Sequence, residues 1–584
     1  MMKLVFSFSN SRPDSGRTFS VHAAKAPVCR AQAIALTVAL LYSAGSTAQT
    51  APNAGQILRE LQAPLDLAPS KAARPLQSGK QPAGTPAGGD VSFAVKTIRI
   101  SGNAVISGET LHALVAGLEG STHTLNDLHA AAARITAYYR QQGYPVTRAY
   151  LPAQEIKDGE VTIAVIEGRI GAHSLKNQSR LSDARAGAYL ATAKDGEVIR
   201  AAQIDRGLLL LNDTPGIGTA RATLQPGASV GTSDLVVELT PGAAYSGSIN
   251  LDNYGNRYVG EYRLGGTLNI NSPLRLGDVL SLNALSSGKG LNYGRVAYQL
   301  PIGSDGLQLG AAYSDAVYEL GKEFKTLDAH GKARSASVFA AYPFIRSQLT
   351  NLNGIVSVEQ KDLSDSVDAT LTRTDKRAKL AAIGLQGTHQ DGLGGGGFTG
   401  ASLTATFGKL DIQSPSALAI DAVSAQTNGG YTRLAYGLSR LQRLTNSSSL
   451  FLSISGQEAS KNLDSSEKFS LGGALGVRAY PQGEGSGDEG YLATVELRYA
   501  LPASSLGPMQ LAGFIDHGST RINHTPFAAG DNTRRLSGAG IGLTWNAPGN
   551  VMVRATVAWK LGSALPTSDA DRSPRAWVQG TKYF

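Results

Sequence analysis

The run Gly472-Gly473-Ala474-Leu475-Gly476-Val477-Arg478-Ala479-Tyr480-Pro481, continuing to Gly490, decides how the rest of the chain is read. It joins two segments of strict alternation. Before it, Leu450, Leu452, Ile454 and Gly456 alternate with more polar residues. After it, Tyr491, Ala493, Val495, Leu497, Tyr499 and Leu501 alternate with Leu492, Thr494, Glu496 and Arg498. A period of two makes a strand with one apolar and one polar face. The connection is too long for a hairpin, and ordered loops of such length usually carry function. Its glycines permit tight bends, and Arg478 is its conspicuous cation. Downstream stands Phe514-Ile515-Asp516-His517-Gly518. Leu511, Gly513 and Ile515 share one face of that segment, so Asp516 points to the other. An arginine on a folded-in loop facing an inward carboxylate would make a lock.

The same texture fills residues 243–584. Tyr262, Leu264, Gly266, Leu268 and Ile270 face one way, and Arg263, Gly265, Thr267 and Asn269 the other. Val551, Val553, Ala555, Val557, Trp559 and Leu561 repeat the pattern, as do Ala539, Ile541, Leu543 and Trp545. Alternating apolar-out, polar-in segments predict a transmembrane β-barrel. At about 21 residues per strand with its loop, this region makes about 16 antiparallel strands, enough to enclose an aqueous channel.

The chain has 584 residues and a net charge of +9. Setting residues 1–48 aside removes Lys3, Arg12, Arg17, Lys25, Arg30 and Asp14 and leaves +5. No Lys/Arg-rich block stands out, so nucleic acid is not an expected partner. The single cysteine, Cys29, falls in that leading segment. Ala31–Ala44 is apolar, follows Lys25 and Arg30, and leads to Ser46-Thr47-Ala48. That pattern predicts a secretory signal cleaved after Ala48. An envelope protein without disulfides must be held otherwise, as a closed barrel is.

Residues 49–62 predict a short helix whose apolar stripe is Ile57, Leu58 and Leu61, with Asn53 as cap and Gln56 reaching back to it. Alone it is too short to persist in water and must dock. Residues 63–90 hold five prolines and several glycines without apolar periodicity, and read as a linker. Such a chain spans roughly 30 Å and stretches to about 90 Å. Two small α/β modules follow, at 91–168 and 169–242, each read as β-α-α-β-β. In the first, strands are expected at Phe93–Ile100, Tyr144–Leu151 and Val161–Glu167, with helices at Glu109–Leu118 and Leu125–Gln142.

Val-Arg-Ala-Tyr at 477–480, followed by the F-x-D-x-G strand, resembles the BamA-type outer-membrane barrel superfamily. More narrowly the chain resembles two-partner secretion transporters of the FhaC/ShlB/HecB type. Ala479 stands where that family often has glycine. Gly143-Tyr144-Pro145, Leu151-Pro152-Ala153-Gln154, Leu251–Arg257, Ser272–Asp278 and Tyr342–Ser347 match it as well. The resemblance implies POTRA identity for the two modules and a plug role for the helix carrying Ile57, Leu58 and Leu61. It implies a lock between loop and barrel built on Arg478 and Asp516 with Val477, Tyr480, Phe514 and Gly518. It further implies that Phe584 is the terminal aromatic read by the barrel assembly machinery. The implied function is export, without nucleotide hydrolysis, of an unfolded partner exoprotein of haemolysin or adhesin type, captured in the periplasm and passed through a pore in the outer-membrane lipid.

Other signals are weak. The glycine runs at 392–397 and 485–490 fit a dinucleotide pattern in spacing alone, because neither opens a helix in a βαβ unit. His112, His123 and His129 lack zinc-site spacing. No nucleophile, base or metal set can be picked out, so no enzyme, cofactor or metal is expected. Two other readings compete. A barrel assembly factor would carry more POTRA domains and no plug helix. A plugged receptor of about 22 strands would have only about 15 residues per strand and loop, which is too few.

Overall fold

The computed structural model describes residues 51–61, 77–78, 92–191, 193–502 and 504–584. The expected signal segment and all of the linker except 77–78 lie outside the described residues. Tyr245–Asp252 opens a closed barrel of 16 antiparallel strands, and Arg575–Tyr583 closes it. Alternation sets the two faces. Along Met509–Arg521, Leu511, Gly513, Ile515 and His517 are exposed, while Phe514, Asp516, Gly518 and Thr520 are buried. Exposed Ile249, Leu264, Val338, Val358, Phe407, Val495 and Ile541 belong to the outward set, an apolar belt suited to lipid. Closure satisfies every strand's backbone within the ladder, which hydrocarbon demands.

The wall is uneven. Ala329–Arg346, Thr350–Val367 and Thr372–Asp391 are 18, 18 and 20 residues long, whereas the opening and closing strands have 8 and 9. The closing seam runs only from Ser248↔Tyr583 to Asp252↔Gln579. Phe584 extends it, since its backbone exchanges hydrogen bonds of 3.1 and 3.0 Å with Gly247.

The first module differs from a simple β-α-α-β-β order. Phe93–Ile100 is not one strand. Ser92–Val95 pairs with Ser121–Thr124, a strand the periodicity did not reveal, and Thr97–Ser101 pairs in parallel with Glu160–Ile166. The break falls at Lys96, because the Gly159 carbonyl accepts from both Lys96 N and Thr97 N, at 2.8 and 3.2 Å. The first helix stops at Ala113, with a 3₁₀ turn at Ala116–Leu118. The later strand contracts to Arg148–Tyr150. Helix Leu125–Gln141 starts at a reciprocal cap between Thr124 and Asp127. Its Leu128, Ile135 and Tyr139 pack on Val161 and Ile163. Tyr139 donates to Glu167 at 2.8 Å, and burial together with that carboxylate holds the phenol above its ordinary pKa.

The second module keeps the expected order: Arg169–Asn177, Asp183–Ala188, Ala201–Asp213, Ile217–Pro226 and Thr232–Pro241. Its sheet has a fourth, outermost member, Gln77–Ser78. Module and barrel are pinned together. Arg346, at the end of its barrel strand, grips Asp213 with Nε and Nη2 at 2.6 and 2.9 Å. Arg206 and Arg185 donate to the carbonyls of Pro343 and Pro301 at 2.9 and 2.6 Å.

Candidate functional site in the barrel lumen

Two elements occupy the lumen, a loop and a helix. The loop, residues 460–488, enters from the end opposite the modules. Its tip is a compact turn: Val477 N donates to Leu471 O at 2.7 Å and Gly473 N to Tyr480 O at 3.1 Å. Glycine is required at two positions there. Gly473 sits at φ +119°, and a Cβ on Gly476 would lie 2.0 Å from Leu471 O. Ala479 is outside the left-handed region, so alanine in place of glycine is unstrained.

Arg478 reaches the wall through this turn. Its Nε and Nη2 donate to Asp516 Oδ2 and Oδ1 at 2.9 and 2.8 Å, and its backbone N to Oδ2 at 3.1 Å. Thr494 Oγ1 donates to Asp516 Oδ1 at 2.9 Å. The remaining guanidinium arm meets Glu496 at 2.7 Å, and Arg498 holds that carboxylate from its other oxygen at 2.8 Å. The guanidinium carbon lies 3.3 Å from the Phe514 ring centroid, a cation–π stack. Trp577 Nε1 donates to Arg478 O at 2.7 Å. Asp516 is fully buried, so its three bonds from Arg478 and one from Thr494 offset a large desolvation cost. Val477 and Tyr480 pack with Phe514, Leu471 and Leu536. Tyr480 OH donates to Ala564 O at 3.1 Å. Gly518 makes room for Leu471, since a Cβ there would sit 2.5 Å from Leu471 Cδ2.

Sequence reasoning placed Thr494 and Glu496 on the polar face but gave them no role. It missed four loop carboxylates altogether. Asp464 pairs with Lys376 at 2.7 Å and Glu467 with Lys361 at 2.6 Å. Glu484 takes Arg534 at 2.7 Å and the backbone N–H groups of Thr567 and Ser568 at 2.7 and 2.9 Å. Asp488 takes Lys468 at 2.8 Å and His524 N at 2.8 Å. The only signal for them was acidic residues in a loop otherwise rich in glycine.

The helix, Ala54–Leu61, lies against the long strands. Ala54, Ile57 and Leu58 are buried among Tyr258, Val259, Leu291, Tyr318, Leu320, Ala333 and Leu363, with Leu61 at the margin. Asn53 Oδ1 caps it, accepting from Gln56 N at 3.0 Å. The Gln56 side chain does not reach back to Asn53; it donates forward to Glu60 Oε1 at 3.0 Å. Ser465 Oγ of the loop also donates to Asn53 Oδ1, at 2.6 Å. Ala54 N donates to Asp365 Oδ1 at 2.7 Å, and Arg59 Nε to Lys468 O at 3.3 Å. Among the described residues no group of acidic, histidine or cysteine side chains could hold a metal ion.

This architecture recurs in solved structures. CdiB from Escherichia coli superposes with a TM-score of 0.69 at 20% identity, covering 97% of this chain and all of that one. BamA from Haemophilus ducreyi, lacking its first three POTRA domains, gives 0.50 at 13% identity, over 84% of this chain and 100% of that one. Sequence relatives span almost the full length. The heme/hemopexin transporter protein HuxB of Haemophilus influenzae is 29% identical over 94% of this chain and 98% of its own. The outer membrane transporter CdiB of Dickeya dadantii is 24% identical over 80% and 83%. Residues 93–168 match the ShlB-type POTRA domain. Residues 231–545, which hold the second module's last strand, the arginine-bearing loop and Asp516, match the haemolysin secretion/activation family, and the chain therefore belongs to the ShlB/FhaC/HecB family of two-partner secretion transporters.

Proposed function

We propose that the chain exports an unfolded exoprotein of haemolysin or adhesin type. The periplasmic POTRA modules capture it, and the barrel lumen passes it to the cell surface. No nucleotide site is part of this reading; folding of the cargo outside supplies the direction. Residues 1–48 are the cleaved signal, 49–62 the plug, 63–90 the linker, 91–168 and 169–242 the two POTRA modules, and 243–584 the barrel in outer-membrane lipid. Phe584 serves as the assembly machinery's recognition residue. Arg478, Asp516, Val477, Tyr480, Phe514 and Gly518 hold the loop, and Ile57, Leu58 and Leu61 seat the plug.

One observation carries the reading: the lumen is filled by two elements that are not part of its wall, and the helix is joined to the wall by little more than one apolar stripe. A pore stoppered by its own N-terminal helix opens when that helix leaves. Deleting residues 49–62 from the purified transporter is expected to raise single-channel conductance in planar bilayers while the barrel stays folded. Unchanged conductance would remove the plug from the mechanism.

A further inference from the structure

The outer surface of the barrel's tall side carries a mismatch of charge. Five strands, from Leu307–Glu319 to Gly397–Ile412, run side by side, and residues at matched positions form rows across the wall. Three such rows face outward. The lowest is apolar: Phe407, Ala381, Val358, Val338 and Ala311. The highest lies toward the end away from Arg346 and the modules. It is charged and alternates in sign: Asp411, Arg377, Asp362, Arg334 and Asp315. Arg377 Nε meets Asp362 Oδ1 at 2.6 Å, and Asp315 takes Arg334 at 3.4 Å and Lys332 at 3.2 Å. Between these rows run Lys409, Lys379, Gln360, Ala336 and Tyr313. Here two exposed lysines stand directly opposite each other, their Cβ atoms about 5 Å apart, and like charges so placed repel. Among the described residues neither lysine side chain has a partner. Gln360 donates to Asp362 at 2.9 Å, and Glu359 faces the lumen, where Ser335 donates to it. The upper row with Lys332 is neutral, so the lysine pair leaves a double positive charge uncompensated. Beside it is a hollow of about 960 Å³ in the apolar surface. Its lining includes the short side chains of Ala311, Ala336 and Ala381, set between the rings of Tyr313 and Phe407.

We propose that this surface is a lipid site: a phosphate on an outer-leaflet lipid bridges Lys379 and Lys409, and one of that lipid's acyl chains lies in the hollow beneath. The level is right for it. The lysines stand where the apolar row gives way to the charged row, which is the depth at which headgroups begin. The charge is right as well. A phosphate monoester carries about −1.5 to −2 at neutral pH, which matches the lysine pair and removes its repulsion. A free anion would answer the lysines and leave the hollow exposed. An apolar chain without a phosphate would fill the hollow and leave the lysines opposed. A phosphate-bearing lipid does both. Lys379 and Lys409 are on the eighth and ninth strands of the 16, farthest from the closing seam. A lipid held there sets the height at which the tall side of the wall rides in its leaflet.

The test uses the full-length transporter in detergent and native mass spectrometry, which reads bound lipid and oligomeric state together. The probe is lipid A carrying its two phosphates, compared with the same lipid stripped of phosphate and with inorganic phosphate. The unaltered chain is expected to retain the phosphorylated lipid at least tenfold more tightly than the stripped one. Lys379→Gln and Lys409→Gln should each weaken that binding about fivefold. Lys409→Glu, which gives Lys379 a partner of its own, should weaken it at least tenfold. Arg373→Gln lies farther up the same strand, where Arg373 is paired with Asp375, and should change nothing. A gel shift on heating checks that each variant is folded. Equal binding of the phosphorylated and stripped lipids would overturn the site, and so would an equal loss in Arg373→Gln. Displacement of the lipid by millimolar inorganic phosphate would overturn it in favour of a free-anion site. A dimer that the lysine variants dissolve would overturn it in favour of a second copy of the chain.

Discussion

The two occupants of the lumen are held in opposite ways. The loop is tied by charge: Arg478 on Asp516 and Glu496, and four loop carboxylates on cations and N–H groups of the wall and neighbouring loops. The helix is seated by shape: three apolar residues in an apolar recess, one cap and a few single hydrogen bonds. Buried charge pairs are costly to part, because each half is left without a partner. An apolar helix face leaves at a cost set mainly by its area, to which a few hydrogen bonds add. On the function proposed above, the difference separates a fixture from a stopper, although both fill the same space.

The largest expected effect comes from cutting the fixture. Arg478→Ala and Asp516→Ala should each lower secretion of the exoprotein at least tenfold, while the barrel inserts and resists heat in gel-shift assays. The double variant should be little worse than either single, since each removes the same contact. Additive losses would mean that the two residues act separately. Loosening the stopper should be milder. Leu58→Ala empties a fully packed position and costs about 2 kcal/mol, roughly thirtyfold in the docked-to-undocked ratio. Single-channel records should then show longer open periods, and an unchanged record would mean that polar contacts hold the helix too.

A third test sharpens the loop's side. A Cβ on Gly538 would lie 2.5 Å from Ala479 Cβ. Gly538→Ala should therefore displace the loop tip at a cost of about 1–3 kcal/mol, read as faster proteolysis of the loop. Adding Ala479→Gly should restore resistance. If it does not, the contact between Ala479 and the wall is not what sets the fit. The smallest effect lies outside the lumen. Asp213→Asn weakens the grip of Arg346, but Asp213 is 37% exposed. The change should cost no more than about 1 kcal/mol, seen as modestly faster hydrogen exchange in Ala201–Asp213 with conductance unaltered.

The barrel was readable because its code is local. In Met509–Arg521 each residue's face follows from its neighbour's, so Asp516 could be assigned to the inside without knowing what it meets. The first module was less legible for a tertiary reason. The apolar phase of Phe93–Ile100 shifts from Phe93 and Val95 to Ile98 and Ile100 across Lys96-Thr97, a mark too short to show by itself where the strand is cut; the carbonyl of Gly159, more than sixty positions away, divides it at Lys96. The loop's carboxylates were illegible for the same reason in stronger form. Asp464, Glu467, Glu484 and Asp488 have no periodicity to place them, and the cations they meet include Lys376, Lys361 and Arg534 on separate strands. Gln56 shows the limit of local rules: the spacing for a reciprocal cap is present, but its side chain is drawn forward to Glu60.

The charge ties also give the pore an electrical signature. Lys361, Lys376, Arg433 and Arg534 belong to the wall, and with the loop inside each faces a loop carboxylate. Asp516 and Glu496 are the wall anions that face Arg478. With the loop in place these fixed charges nearly cancel, and the passage is expected to discriminate little between ions of either sign. Withdrawing the loop leaves five wall cations, Arg498 beside Glu496 included, against two wall anions, so the lining turns positive and favours anions over a distance of about 10 Å in 0.1 M salt. The reversal potential across a salt gradient would then report where the loop is, with no label attached to it.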